Sequence, residues 1–337
     1  MISYAFAPEI VRVAVVLGVI LSVLMYERTH LTTGGAIVPG YLAISMFTPL
    51  SVMMTLVGGI LTYFVVTILI AKRFILYGRR KFEIEVLVGL AFGALFTTFA
   101  SVFGDVDPWL ATLGGIGFLL PGIVAHDIAR QGVRKTLIAV TIVSVALALF
   151  LVAFNSVLSL SPGDDLSLVR EIGSVTGFPR ELLFGAVAVS VLIGMAVYGK
   201  LGVRSGGFIT GAYVALISPR WADLAFTVAV ALITWLIVTK VLMPRLLIFG
   251  RRKLASMLLV AALVGWTVEI FLIVLTNAEY IPWRGMTVAT LMVPALVAND
   301  AERQGWRKTA VGTSITAAST VLVMAAVGAG LGYAGLM

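Results

Sequence analysis

Long apolar runs separated by short polar knots set the plan of this chain. About 20 consecutive apolar residues cross the hydrocarbon core of a bilayer as a helix, and shorter runs are tilted, re-entrant or stabilised by neighbours. The first run is Ile10 to Tyr26, closed by Glu27-Arg28-Thr29-His30. Gly34-Gly35 then opens a short segment to Phe47 that is broken internally at Pro39-Gly40. Proline removes an amide hydrogen and glycine loosens the turn, so this segment is expected to be kinked or half-unwound, and covered by protein or water. Val52 to Ala71 is the third run, ended by Lys72-Arg73 and the knot Tyr77-Gly-Arg-Arg-Lys-Phe82. Val86 to Phe103 is the fourth, followed by the polar turn Asp105-Val-Asp-Pro-Trp109. Leu110 to Ala125, interrupted by Pro121-Gly122, and Thr136 to Phe154 complete six segments.

The pattern then starts again. The knot returns 172 positions later as Phe249-Gly-Arg-Arg-Lys-Leu254, and the same offset matches Gly34-Gly35-Ala36-Ile37 to Gly206-Gly207-Phe208-Ile209 and Tyr41 to Tyr213. With one more residue, Pro121-Gly-Ile-Val-Ala-His-Asp127 pairs with Pro294-Ala-Leu-Val-Ala-Asn-Asp300, and Arg130-Gln-Gly-Val-Arg-Lys-Thr136 with Arg303-Gln-Gly-Trp-Arg-Lys-Thr309. A duplicated unit explains this. Residues 1–154 are a first membrane repeat, 155–181 a polar linker and 182–337 a second repeat with segments at Leu182–Tyr198, Gly206–Ile217, Leu224–Met243, Leu254–Thr276, Met286–Ala298 and Thr309 to about Gly328. The expected fold is an all-α polytopic membrane protein of about 12 segments, some broken or re-entrant. Six crossings per unit is an even number, so the two units are expected to be parallel repeats and not inverted ones.

Composition agrees with the pattern: 60% of residues are hydrophobic and 12% charged, with a mean hydropathy of +1.09. A soluble domain of that make-up would have no polar coat. The net charge of +8 lies in short loops, where it reads as membrane orientation before nucleic-acid affinity. With the N-terminus outside, nineteen basic residues fall on the cytoplasmic side, and only Arg12, Arg170, Arg180, Arg220 and Arg284 fall outside. Both termini and the linker are therefore expected to face out of the cytoplasm. Cysteine is absent, which excludes disulfides and thiolate chemistry, and His30 and His126 are the only histidines, too few for a His-rich metal centre. Glu9, with no basic stretch ahead of the first run, marks a retained span and not a cleaved signal.

Several motifs point away from catalysis. Gly194-Met-Ala-Val-Tyr-Gly199-Lys200 has phosphate-loop spacing, but Leu201 stands where a magnesium-binding Ser or Thr belongs, and the motif ends a helix instead of opening one after a strand. Gly115-x-Gly117 lacks the third glycine of a dinucleotide fingerprint. Gly89-x-x-x-Gly93, answered by Ala261-x-x-x-Gly265, is the spacing of closely packed membrane helices. Glu269 is a mid-run carboxylate whose counterpart is Thr97, which leaves an ion relay without a second member.

What remains is a set of cations beside broken helices. Arg79, Arg80 and Lys81, Arg130, Arg134 and Lys135, Arg251, Arg252 and Lys253, and Arg303, Arg307 and Lys308 are candidates for a basic vestibule that attracts a polyanion or docks a cytosolic partner through its acidic surface. Pro39, Gly40, Pro121, Gly122 and Pro294 are the breaks expected to line the interior. Topology alone explains positive charge there. It does not explain why Gly-Arg-Arg-Lys is identical in both copies when Pro39-Gly40 has become Gly211-Ala212 and Glu27-Arg28 has become Gly199-Lys200.

Glu27-Arg-Thr-His30, Ile37-Val-Pro-Gly-Tyr-Leu42, Ile75-Leu-Tyr-Gly-Arg-Arg-Lys-Phe82 and Gly115-Ile-Gly-Phe-Leu-Leu-Pro-Gly-Ile-Val-Ala125 with Gln131-Gly132, in that order, resemble the PgsC/CapC family. That family is the small membrane subunit of bacterial poly-γ-glutamate synthase, a capsule-making system. The resemblance covers about 10–150 well, and residues 182–330 look like a second, more diverged copy. It implies a non-catalytic subunit that anchors a separate cytosolic Mur-ligase-like enzyme, where ATP and Mg²⁺ belong, and that forms a conduit for the anionic polymer alongside other small membrane subunits. No cofactor or nucleic acid is expected on this chain. A free-standing carrier for a small anion is the alternative, and a membrane enzyme using Glu269, or Asp127 and Asp300, is a third.

Overall fold

The computed structural model describes residues 8–103, 117, 119–158, 176–178, 182–277, 279–283 and 288–333. The expected turn at 105–109, the first part of the fifth segment and most of the 155–181 linker lie outside them. The chain forms two compact units that divide between Ser167 and Leu168.

In the first unit, α1 (Pro8–Thr29) leads to a short α2 (Val38–Ile44), then α3 (Pro49–Phe64), which passes into a π-helical turn at Val65–Ile70. After a basic loop come α4 (Gly78–Phe103), a short α5 (Leu120–Gln131) and α6 (Val133–Leu158). The second unit repeats this as α7 (Leu183–Leu201), α8 (Thr210–Leu216), α9 (Trp221–Leu236) with a π turn at Ile237–Leu242 and a single further turn, α10 (Met243–Leu246). It continues with α11 (Gly250–Leu275), α12 (Ala289–Gln304) and α13 (Trp306–Tyr333). Among the described residues, eight helices are long and apolar enough to cross a membrane, four in each unit. The protein is an all-helical, polytopic membrane protein.

Burial runs opposite to that of a soluble helix. The inward face of α3 is Ser51, Thr55, Gly58, Gly59 and Thr62, while Leu61, Phe64 and Leu69 face outward. Lipid solvates leucine as well as a neighbouring helix does, so close contact between small residues decides which face turns in. The Thr55 hydroxyl donates to the Ser51 carbonyl at 2.8 Å, and at the equivalent place Thr227 donates to that of Asp223 at 2.7 Å, which removes the cost of burying these hydroxyls.

The short helices are halves of broken segments. A 7-residue helix rises only about 10 Å, against about 30 Å of hydrocarbon. The chain reaches α2 by running back beside α1. Thr33 Oγ1 donates to Ser22 Oγ at 2.7 Å, Ser22 Oγ donates to the Ala36 carbonyl at 3.2 Å, and Gly40 sits against Val15 and Gly18. Extended lead-in and helix together make one crossing. Pro39 is therefore not a kink inside a helix: it lies in the first turn of α2, where its missing N–H costs nothing, and Pro121 lies likewise in the first turn of α5. Pro294 differs, because α12 runs through it without ending.

Inside each unit the structure reveals a repeat of the opposite sense to the parallel one read from the sequence. Gly18 of α1 meets Gly40 of α2, and Gly40 meets Ala14 and Val15. Gly89 of α4 meets Gly122 of α5, and Gly122 meets Glu85 and Val86. The helix openings Val38-Pro-Gly-Tyr-Leu-Ala43 and Leu120-Pro-Gly-Ile-Val-Ala125 match as well. Each short helix also packs on the third helix of the other set, α2 on α6 and α5 on α3. With the six crossings per unit expected from the sequence, three in each set and so an odd number, α1-α2-α3 and α4-α5-α6 run in opposite directions, as an inverted repeat.

At these crossings a methyl group has nowhere to go: a Cβ on Gly122 would lie 2.6 Å from Val86 Cα and 2.7 Å from the Glu85 carbonyl oxygen, both backbone atoms. Gly122→Ala is expected to destabilise the protein by about 1–3 kcal/mol, as overpacking does. Gly199→Ala, whose Cβ would meet nothing within 4 Å, should be neutral. Thermal midpoints of the purified variants check this, and equal midpoints would contradict the packing.

Candidate functional site

The cations singled out in the sequence gather at one end of each unit, where α3 or α9 ends, α4 or α11 begins, and α5 passes to α6 or α12 to α13. Arg80, Arg130, Arg134, Lys135, Arg252, Arg303, Arg307 and Lys308 are exposed there. The side chain of Arg251 lies outside the described part of the structure.

Other members of the set have partners within the chain. Arg79 Nε donates to Glu83 Oε1 at 2.5 Å, and Lys81 Nζ stands 3.8 Å from Glu85 Oε1. Glu85 is fully buried, and its Oε2 is 2.7 Å from Nδ1 of His126, whose ring packs edge-on against Phe82 at 5.0 Å. Glu85 thus ties the first turns of α4 to α5 just below the Gly122 crossing. The second unit has Ala255 and Met257 in place of these glutamates. There Lys253 is buried and paired with Glu302 of α12, at a position where the first unit has Ala129. The Arg-Arg-Lys string is common to both units, but its compensation comes from within α4 in one and across to α12 in the other. Counting charges in loops does not find this, because the compensating acids lie inside helices, α4 in the first unit and α12 in the second.

A second element went unread in the sequence, the glutamine that ends α5 and α12. Gln131 Oε1 accepts from the Thr32 N–H at 2.8 Å, while Nε2 donates to the Thr32 carbonyl at 2.6 Å and to Thr136 Oγ1 at 2.9 Å. Gln304 makes the same set with Arg204 N–H at 2.8 Å, Arg204 carbonyl at 2.9 Å and Thr309 Oγ1 at 3.0 Å. A side-chain amide here takes the part of a neighbouring strand, supplying one donor and one acceptor to the extended lead-in before α2 or α8. The glycine that follows has φ of +89° at Gly132 and +86° at Gly305, which ends one helix and starts the next within a single residue.

The breaks expected to line an interior are all buried: Pro39, Gly40, Pro121, Gly122 and Pro294. In the first unit they are sealed by an apolar cluster of Val38, Leu42, Leu120, Val124, Ile128 and Val140. Of the carboxylates weighed for catalysis, Asp127 is buried on α5 in the first unit, and in the second Asp300 is buried on α12, 3.6 Å from Arg204, and Glu269 is buried on α11. Among the described residues no group of three or more His, Cys, Asp or Glu is placed to hold a metal ion.

At the opposite end of the second unit, Asp223 is fully buried at the start of α9. It accepts from Tyr280 OH at 2.8 Å and from the Trp283 N–H at 3.2 Å, and pairs with Arg220 at 2.7 Å. Burial, and then the Asp223 carboxylate, push the Tyr280 hydroxyl well above the usual phenol range, so it remains a donor to Asp223.

Comparison with known proteins adds the following. The family described as "Capsule biosynthesis CapC" matches twice, at residues 17–137 and 189–310. Over 126 residues the chain is 39% identical to the "Capsule biosynthesis protein CapC" of Bacillus anthracis, covering 37% of this chain and 82% of that protein. Over 124 residues it is 36% identical to the "PGA biosynthesis protein CapC" of Bacillus subtilis (strain 168), covering 37% of this chain and 81% of that protein. No solved structure matches it.

The glutamine latch gives a direct test. Gln131→Ala leaves the N–H and carbonyl of Thr32 without partners and is expected to cost about 1–3 kcal/mol. Gln131→Glu puts a carboxylate oxygen against the Thr32 carbonyl and should cost more. Thermal midpoints unchanged from wild type in both would show that the latch contributes nothing.

Proposed function

From a chain that belongs to the CapC family of capsule biosynthesis, in tandem duplicate, we propose a non-catalytic membrane subunit of a complex that makes and exports poly-γ-glutamate. Its basic ends face the cytoplasm, both termini face out, and the exposed cations dock a Mur-ligase-like synthase or guide its polyanionic product into a conduit. ATP and Mg²⁺ act on that synthase. The observation that carries this reading is the Gly-Arg-Arg-Lys string, kept at the head of α4 and of α11 while its surroundings have changed from Glu83 and Glu85 to Ala255 and Met257. Orientation requires positive charge and nothing more, whereas an arginine fork suits a carboxylate.

A second reading gains support from the inverted repeat inside each unit, since broken helices related in that way are the architecture of secondary carriers. A free-standing carrier for a small anion would move its substrate alone in liposomes. A complex subunit would need its partners.

Arg→Lys changes separate docking from orientation, because lysine keeps the charge and loses the fork. Arg80→Lys with Arg252→Lys, and the fourfold variant that adds Arg79→Lys and Arg251→Lys, are expected to insert at normal abundance. They should lose synthase co-purification and polymer output, with the loss growing as ionic strength rises. Unchanged co-purification and output in the fourfold variant would reduce these arginines to topological anchors.

A further inference from the structure

The loop between α3 and α4, and its counterpart before α11, hold large apolar side chains away from the rest of the chain. Phe74, Ile75 and Tyr77 in the first unit, and Leu246, Leu247 and Phe249 at the same offset in the second, are all between 61% and 88% exposed. The residue inside each triad turns the other way, with Leu76 half-buried and Ile248 buried. Backbone fixes this arrangement. The N–H groups of Arg73 and Phe74 both donate to the Ile70 carbonyl at 3.0 Å, and Gly78 and Gly250, at φ +58° and +60°, turn the chain into the next helix. Leu247 stands at φ +48° and donates its N–H to the Met243 carbonyl at 3.1 Å, in a helix-ending position that ordinarily belongs to glycine. A leucine in that conformation is strained, and its exposed side chain recovers little by packing within the chain.

Each triad sits at the edge of membrane spans. By length and composition, residues 71–77 separate a span that ends at Ile70 from one that starts at Gly78, and in the second unit the spans end at Leu246 and resume at Arg252. That is the boundary of hydrocarbon and headgroups, the level at which aromatic side chains and long cations anchor membrane proteins. Lys72 and Arg73 stand beside the first triad, Lys240 and Arg245 beside the second, and all four are exposed. No acidic residue occurs from Ala71 to Phe82 or from Ile237 to Leu254, so both segments attract acidic headgroups. The duplication adds a comparison. All three apolar residues differ between the units while bulk, exposure and the arginine before them are kept, and the adjoining Gly-Arg-Arg-Lys is identical. A shaped protein pocket selects particular side chains, whereas a fluid surface requires only apolar area and charge.

We propose that residues 72–77 and 245–249 are lipid-inserting anchors: the apolar triads enter the boundary of headgroups and acyl chains, and Lys72, Arg73, Lys240 and Arg245 bind acidic phospholipid headgroups beside them. These four cations lie outside the set assigned to the synthase or its polymer. The anchors therefore stand whether or not that docking occurs.

The test uses the full-length protein, which has no native cysteine, with the environment-sensitive fluorophore NBD on Ile75→Cys or on Leu247→Cys. Each is reconstituted without synthase in vesicles of phosphatidylcholine mixed with phosphatidylglycerol. The emission should be that of apolar surroundings, shielded from acrylamide in the water and quenched by a spin label just below the headgroup. Spin-labelled phosphatidylglycerol should quench at least about threefold more than spin-labelled phosphatidylcholine at low salt. Lys72→Gln with Arg73→Gln in the Ile75→Cys protein should abolish that preference, as should high salt, while Lys72→Arg with Arg73→Lys should keep it. A probe that acrylamide reaches in these vesicles overturns the proposal. If it becomes shielded only when the synthase is added, the triads are a protein-docking face instead. Equal quenching by the two lipids with the native cations present, or a preference unaltered in the glutamine variant, overturns it as well. All the exchanged side chains are exposed, so the variants remove no buried contact.

Discussion

Backbone that is not helical cannot face lipid, since each unpaired N–H or carbonyl in hydrocarbon costs several kcal/mol. This chain breaks its helices in the middle of a membrane and so must cover each break. It does so with another backbone. Gly40 lies on Val15 and Gly18, Gly122 on Val86 and Gly89, and the approach is so close that neither glycine leaves room for a methyl group. The small residues on α1 and α4, the proline in the first turn of α2 and of α5 and the glutamine that holds the lead-in to α2 all follow from that requirement. In the second unit the same places hold Ser190, Ala212, Ala261 and Ala295, each buried, so the requirement survives although the glycines do not.

Much of this was legible in the sequence. Apolar runs give the long helices, and the 172-residue offset gives the duplication, because whole strings such as Gly-Arg-Arg-Lys and Arg-Gln-Gly are shared. The inverted repeat inside each unit was not legible, since its two members share little beyond a Pro-Gly and its apolar neighbours, and the rest of the match is a packing relation between helices. Charge compensation was hidden for a related reason. Glu83 and Glu85 read as helix residues, and only the fold turns them back onto Arg79, Lys81 and His126. The roles of Gln131 and Gln304 depend on partners 99 and 100 residues away, which no local pattern announces.

Duplication freed each copy to change. The first unit keeps both Pro-Gly turns and an apolar seal, and holds its basic string with acids from the same helix. The second unit compensates Lys253 from α12, ties Tyr280 and Trp283 to Asp223 and sets Ser190 and Thr313 hydroxyls against Gly211 and Gly206. Its α12 runs on through Pro294, where the first unit begins a new helix at Leu120. Equal architecture with unequal chemistry is what a fused pair permits and a dimer of identical subunits does not.

The central claim is that an extended lead-in and a 7-residue helix together make one crossing, so that the two ends of this segment emerge on opposite faces. The chain has no cysteine, which makes accessibility labelling unambiguous. Single cysteines at Arg28, just before the lead-in, and at Phe47, just after α2, are both exposed positions. An impermeant thiol reagent applied to intact cells should label position 47 and leave position 28 untouched until the membrane is opened. Labelling of both from the same side would mean that the segment turns back, and would contradict the crossing and the inverted repeat built on it.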